Sequence, residues 1–310
     1  MIGKYRREFS VAFAYLLILG FLALEVPQFF DGRALLVLAV KNAPVLVAAV
    51  GMTLVILCRQ IDISIGSQAS VCAVTAGLLA KSGMPMPVVG LGTLLVGAGL
   101  GACNGLLVAG LGLPSIVVTL ATLVILRESL RYLREGAFVR ELPSGFQWFG
   151  VGQETGQWFV VGIGLLVLLF VAWGMRNLAA GRSIYATGSD PEAARLAGLR
   201  PRAVTFWIFV AMGTLAGLYA LLEVIQLPEV DPKTGTDGLE MRVIAAAVVG
   251  GAAVSGGRGT IIGTLIGVLL LGTINPALVY LHVSAEWEKA IQGAIILLAV
   301  ASDGLSRESR

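Results

Sequence analysis

The chain is a succession of apolar runs cut by short polar interruptions. Apolar stretches recur at about 11–30, 35–58, 63–81, 87–111, 114–134, 157–175, 203–226, 241–256, 260–281 and 287–303. Several reach the roughly 20 residues that carry an α-helix across a bilayer. The runs at 63–81, 114–134 and 241–256 are shorter, broken by glycine or flanked by charge. The pattern predicts an all-α integral membrane protein: one polytopic bundle of about ten transmembrane segments, with residues 1–310 forming a single transmembrane domain.

The interruptions orient the runs. With a cytoplasmic N-terminus, alternation places 176–202 in the cytoplasm. That stretch holds Arg176, Arg182, Arg195, Arg200 and Arg202 against Asp190 and Glu192, as positive-inside asymmetry requires. The next loop, with Glu229, Asp231, Asp237 and Glu240 against Lys233, falls outside, and the tail with Arg307 and Arg310 returns to the cytoplasm. Residues 127–156 carry arginines and glutamates in balance and decide nothing. Their aromatics, Phe146, Trp148, Phe149 and Trp158, suggest a segment lying along the membrane interface. At the N-terminus, Lys4, Arg6 and Arg7 precede an apolar run. Glu25-Val26-Pro27 stands where a cleavable signal would carry small residues, so a retained first helix is expected.

Composition agrees and removes several function classes. Of 310 residues, 57% are hydrophobic and 13% charged, with mean hydropathy +0.88. A water-soluble domain of this size needs far more polar surface. The net charge of +3 is small and its basic residues sit at segment ends, which makes no case for nucleic acid. Cys58, Cys72 and Cys103 lie in apolar runs and read as small buried hydrophobes, and His282 is the sole histidine. No G-x-x-x-x-G-K-[ST] loop is present; Gly251 to Arg258 comes nearest and lacks the lysine. Metal-ligand clusters, nucleophile elbows and paired buried carboxylates are missing from the sequence too, which argues against an enzyme.

One polar island stands out between the apolar runs, from Gly181 to Gly198. Its second half, Ser189-Asp190-Pro191-Glu192-Ala193-Ala194-Arg195-Leu196-Ala197-Gly198, reads as a short capped helix. Ser189 or Asp190 can supply the N-cap, Pro191 is preset for the first turn, Glu192 suits the positive end and Gly198 terminates it. A deliberately terminated helix outside the bilayer predicts a handle gripped by another protein.

Glycine spacing adds a packing expectation. Gly97, Gly101 and Gly105, and again Gly259, Gly263 and Gly267, recur every four residues and make one small-residue ridge in each half of the chain. Two such ridges suggest an internal repeat; chance spacing among 40 glycines is the competing reading. Gly250-Gly251 and Ser255 to Gly259 bracket a tight turn on the cytoplasmic side.

Few polar residues interrupt the runs internally. Asp62, in Gln60-Ile61-Asp62-Ile63-Ser64-Ile65-Gly66-Ser67-Gln68, is costly unless paired or facing water. Arg59 is a candidate partner. The break lines a pore or shapes a half-helix end, or it is a polar turn at the cytoplasmic surface with Ser64 capping the next helix. Asn104 either hydrogen-bonds a neighbouring helix or touches a polar solute, and Thr119 and Thr122 either bond their own backbone or do the same. Asp62, Ser64, Gln68, Asn104, Thr119, Thr122 and Glu240 are the candidate pathway residues.

The motifs resemble a known family. Gly51-Met52-Thr53-Leu54-Val55-Ile56 leading into Ile61-Asp62-Ile63-Ser64-Ile65-Gly66-Ser67 is similar to the permease subunits of bacterial ABC importers for simple sugars. So are Asn104-Gly105-Leu106-Leu107, Leu113-Pro114-Ser115-Ile116, Tyr185-Ala186-Thr187-Gly188, Leu239-Glu240-Met241 and Gly256-Gly257-Arg258-Gly259-Thr260. The resemblance runs in order from about residue 45 to the end. Arg59-Gln60-Ile61-Asp62 looks most like the autoinducer-2 and rhamnose branch, although many members carry two glycines where Arg59 and Gln60 stand.

This resemblance implies a bacterial inner-membrane subunit with both termini in the cytoplasm. It implies a second permease subunit, two ATP-binding subunits holding ATP and magnesium, and a periplasmic substrate-binding protein. It assigns the Ala193-Ala194-Arg195 region to the ATPase contact. The mechanism it implies is alternating access powered in trans. The rivals are a branched-chain amino-acid permease and an ion-coupled secondary transporter, for which Glu223 would be the second intramembrane carboxylate besides Asp62.

Overall fold

The computed structural model describes residues 6–236, 238–284, 286–295 and 297. Lys4, Asp237, Arg307, Arg310 and the end of the last apolar run lie outside the described residues. Regular structure among the described residues is helical, apart from one antiparallel bridge between Val139 and Val230. In chain order the helices are α1 (Arg6–Glu25), α2 (Gly32–Leu57), α3 (Ile65–Lys81), α4 (Met86–Gly105), α5 (Ser115–Arg134), α6 (Gln153–Asn177), α7 (Ala179–Ser189), α8 (Pro191–Leu196), α9 (Pro201–Val224), α10 (Leu239–Val249) and α11 (Ile261–Tyr280). Residues 287–295 form a further helical stretch.

Among the described residues five segments are long and apolar enough to cross a membrane: Gly32–Leu57, Met86–Gly110, Gln153–Asn177, Pro201–Val224 and Ile261–Tyr280. Helix formation there follows from the solvent, because a lipid-embedded backbone must satisfy its own N–H and C=O groups. The other runs are helical but different in kind. α3 has 17 residues and α10 only 11, while α5 carries Arg127, Glu128, Arg131 and Arg134 in its second half.

α2 is the axis of the bundle. Every residue from Asn42 to Leu57 is buried, and α6, α9, α10 and α11 pack around it. The glycine ridge on α4 does what its spacing predicts, while of the second trio only Gly263 and Gly267 lie on α11; Gly259 stands before the helix with a φ of 142° and is not on its face. A Cβ at Gly97 or Gly101 would overlap the carbonyl of Gly213 or Phe209, so α4 and α9 touch backbone to backbone. At Gly263 and Gly267 it would overlap the carbonyls of Gly250 and Ala246, which sets α11 equally close to α10.

The connections sort into two ends. At one end the 58–64 break, the turn before α5, the α7–α8 region and the α10–α11 turn come together. At the other, Lys81 pairs with Glu141 at 2.9 Å and Arg140 with Glu229 at 2.7 Å, and Val139 pairs with Val230 beside Gly77.

Two expectations are corrected here. Phe146 is not displayed on the surface as a belt aromatic would be: it is completely buried, and it belongs with Val139 and Val230 to the core. The acidic loop after α9 is not wholly external either. From Val230 beside Gly77 it runs back along α3, where Ser70 Oγ donates to the Thr234 carbonyl at 2.7 Å, to Gly235 against Gly66. That descent covers roughly 16 Å of helix. Non-helical backbone is tolerable in the bundle because α3 shields it and its polar groups find partners there.

Candidate functional site

The 176–202 region is two helices rather than a loop carrying one. α7 follows α6 after a single extended residue, Leu178. Asp190, not Ser189, is the N-cap of α8, its carboxylate accepting from the amides of Glu192 and Ala193 at 2.9 and 3.0 Å. Pro191 opens the helix, Glu192 and Arg195 form an exposed 2.7 Å ion pair, and Gly198 adopts the left-handed φ of 85° that ends it. Ala194 is buried against the bundle while Leu196 is 81% exposed. The outer face of α8 therefore presents a carboxylate, a guanidinium and an isobutyl group to whatever covers it.

α7 fastens this handle to the bundle. Gly188 lies flat on the Leu57 carbonyl at the end of α2, and a side chain there would overlap it. The same carbonyl accepts from the Gly257 amide at 2.9 Å, and the Tyr185 hydroxyl donates to the Gly259 carbonyl at 2.8 Å. One helix turn thus touches the end of the axial helix and the turn between α10 and α11. An open cleft of ≈ 290 Å³ beside it is lined by Arg59, Gln60, Pro114, Thr187, Pro191 and Arg202, among others.

A second constellation lies in the interior. Asp62 Oδ1 accepts from the Ser64 amide at 2.9 Å and from Ser64 Oγ at 2.5 Å, and Oδ2 accepts from Gln68 Nε2 at 3.1 Å. Asn104 Nδ2 donates to Ser64 Oγ at 2.9 Å, and Thr122 Oγ1 donates to Asn104 Oδ1 at 2.7 Å. Thr119 donates to its own helix at Ser115 and reaches the Ile61 carbonyl at 3.4 Å. Six of the seven candidate pathway residues therefore converge on one network joining the 58–64 break to α3, α4 and α5. Asp62, Ser64, Gln68, Asn104 and Thr119 are all 0% exposed.

The break is stabilised differently from the expectation. Ser64 occupies the N-cap position of α3 without a side-chain capping bond; the carboxylate two residues earlier does that work on Ser64 itself. Arg59 is not its partner. It points into the cleft with a left-handed φ of 62°, a conformation that favours glycine. Glu240 stands apart from the network, its carboxylate against the first turn of α3 at Gly66, with Oε2 buried and unpaired among the described residues. Ser67 and Ser115, present in the quoted motifs but not among the candidate pathway residues, add to the network by donating to the Leu123 carbonyl at 2.9 Å and accepting from the Ile61 amide at 3.3 Å, respectively. Among the described residues no three metal-ligating side chains converge.

Comparison with known proteins is consistent along the chain. The family model described as branched-chain amino acid transport system / permease component matches residues 34–300. The autoinducer 2 import system permease protein LsrC of Salmonella typhi is 34% identical over 305 residues, covering 97% of this chain and 86% of the relative. Its counterpart in Escherichia coli O157:H7 is 36% identical, with 97% and 88% covered. That of Photorhabdus luminescens is 34% identical, with 97% and 91% covered. No solved structure matches. With a buried axial helix, five spans of membrane length and matches over nearly its full extent, the chain belongs to the branched-chain amino acid transport system / permease component family.

Proposed function

We propose that this chain forms one half of the membrane pathway of an ABC importer for autoinducer 2 or a related sugar-derived solute. ATP is hydrolysed on two separate subunits, a second permease completes the pathway, and a periplasmic binding protein delivers the solute. The observation that carries this reading is mechanical. Exposed α8 is fixed through Gly188 and Tyr185 to the end of α2 and to the α10–α11 turn. A push on Ser189 to Gly198 from the cytoplasm then moves the axial helix and two close-packed helices together. The relatives named above favour a sugar-type solute over a branched-chain amino acid.

In this reading about ten segments span the inner membrane with both termini cytoplasmic. The short helices α3 and α10 both begin inside the bundle, after a polar break and a descending loop, and they occupy corresponding places in two repeated halves. The buried Asp62 network holds the first of these breaks while the bundle rocks, and Glu240 sits at the same level.

The test is uptake by vesicles containing the complete importer. Radiolabelled autoinducer 2 should accumulate only with binding protein and internal ATP, and unlabelled leucine should not compete. Leucine uptake in its place would reverse the solute assignment. Accumulation driven by a proton gradient without ATP would remove the importer reading altogether.

A further inference from the structure

One group of charged side chains within the bundle has no part in the α7–α8 end or in the Asp62 network. Lys41 on α2, Glu223 on α9, Arg242 on α10 and Glu288 on the 287–295 helix come from four different elements. Arg242 Nη2 stands 3.7 Å from Glu288 Oε1, with 43% and 17% of the two side chains exposed. Asn275 on α11 donates to Glu288 Oε2 at 2.6 Å, and Gln292 donates to Oε1 at 2.9 Å. Half-buried Glu223 lies within electrostatic reach of both Arg242 and Lys41, yet forms no ion pair with either among the described residues. Lys41 is exposed, the first exposed step above the fully buried half of α2.

Depth decides what such a face can look at. Lys41 is 16 residues above Leu57 and Asn275 is 14 above Ile261, roughly 24 and 21 Å along their helices. Both levels fall inside a hydrocarbon layer of about 30 Å, where an exposed ammonium against lipid is strongly disfavoured. A water-filled path satisfies this requirement. Its charges cancel, two cations against two carboxylates, so an ion of either sign meets as much repulsion as attraction. An apolar solute would leave the donors and acceptors unsatisfied. A hydroxyl-rich neutral molecule both donates and accepts, and can exchange bonds with each of these groups without becoming trapped.

We propose that Lys41, Glu223, Arg242 and Glu288, with Asn275, form a transient contact station for a neutral polyhydroxy solute in the outer half of the translocation pathway. The proposal rests on the permease reading above and extends it to named residues. Reconstituted importer carrying Glu223→Gln or Lys41→Met should take up radiolabelled autoinducer 2 about fivefold more slowly, the equivalent of about one hydrogen bond, with ATP hydrolysis kept. Normal uptake in both variants would overturn the station while leaving the permease reading intact. Wild-type importer that fails to take up autoinducer 2 would count against that reading instead.

A second measurement does not depend on transport. In a Cys103→Ser background, where the remaining Cys58 and Cys72 are buried, Lys41→Cys should react with a charged, membrane-impermeant thiol reagent. Added autoinducer 2 should slow that reaction. An unreactive thiol would place Lys41 against lipid, and a disulfide between two copies would place it in a permease–permease contact. Either outcome overturns the proposal, as does a reaction rate that the solute leaves unchanged.

Discussion

The hydroxyl of Tyr185 on α7 donates to the carbonyl of Gly259, 74 residues later, at 2.8 Å. This bond ties α7, which leads directly into α8, to the turn that joins α10 and α11. Tyr185→Phe keeps the ring and removes this donor, at a cost of about 1 kcal/mol. Assembly with the ATP-binding subunits should persist, while solute moved per ATP hydrolysed falls. A wild-type ratio of transport to hydrolysis in the variant would show that the bond transmits nothing.

Arg195 is exposed on α8 and pairs with Glu192 three residues before it. Such a surface pair contributes little to folding. Arg195→Glu should therefore insert and fold normally yet lose the ATP hydrolysis that binding protein and solute stimulate, because it reverses a charge on the proposed docking face. Full stimulation in this variant would remove Arg195 from the contact.

The α4–α9 contact gives a paired comparison. A Cβ at Gly101 meets the Phe209 backbone, whereas one at Gly99, two residues away on the same helix, meets nothing within 4 Å. Gly101→Ala should lower the thermal unfolding midpoint in detergent, at a cost of about 1–3 kcal/mol from overpacking. Gly99→Ala should be neutral or slightly stabilising, since alanine is the better helix former. Equal midpoints for the two would contradict the backbone contact.

Asp62 receives three hydrogen bonds from Ser64 and Gln68 in a site closed to solvent. Asp62→Ala strands those donors, and loss of about 2–4 kcal/mol of stability is expected, read as reduced yield and an earlier unfolding midpoint. Asp62→Asn keeps the shape but turns one acceptor into a donor facing donors, and should fall between. If either variant folded with wild-type stability and lost transport alone, Asp62 would be a solute contact and not a structural tie.

Much of the site was legible because its signals are local. The Asp190-Pro191 start and Gly198 stop of α8 lie within ten residues, and the structure selects Asp190 over Ser189 as the cap. The glycine ridges are equally local, four-residue spacing being a property of one helix. What could not be read was the partner of each ridge: nothing in Gly101 specifies Phe209, or in Gly267 specifies Ala246. The convergence of Asp62, Ser64 and Gln68 with Asn104 and Thr122 was open for the same reason. These residues lie up to 60 positions apart, and each had an ordinary local explanation. The charged face of Lys41, Glu223, Arg242 and Glu288 went unseen because its members sit one to a segment.

The sequence by itself determined that this chain lives in a membrane as helices, and where the short helix from Pro191 starts and stops. Each of those follows from solvent and neighbouring residues alone: apolar runs have no alternative in lipid, and caps act over one turn. Only the tertiary structure decided that α2 is the axis, that the loop after α9 turns back into the bundle, and that scattered polar residues meet in one buried network. Those outcomes depend on which backbones can approach most closely. That approach is a property of two surfaces together, and no single stretch of chain contains it.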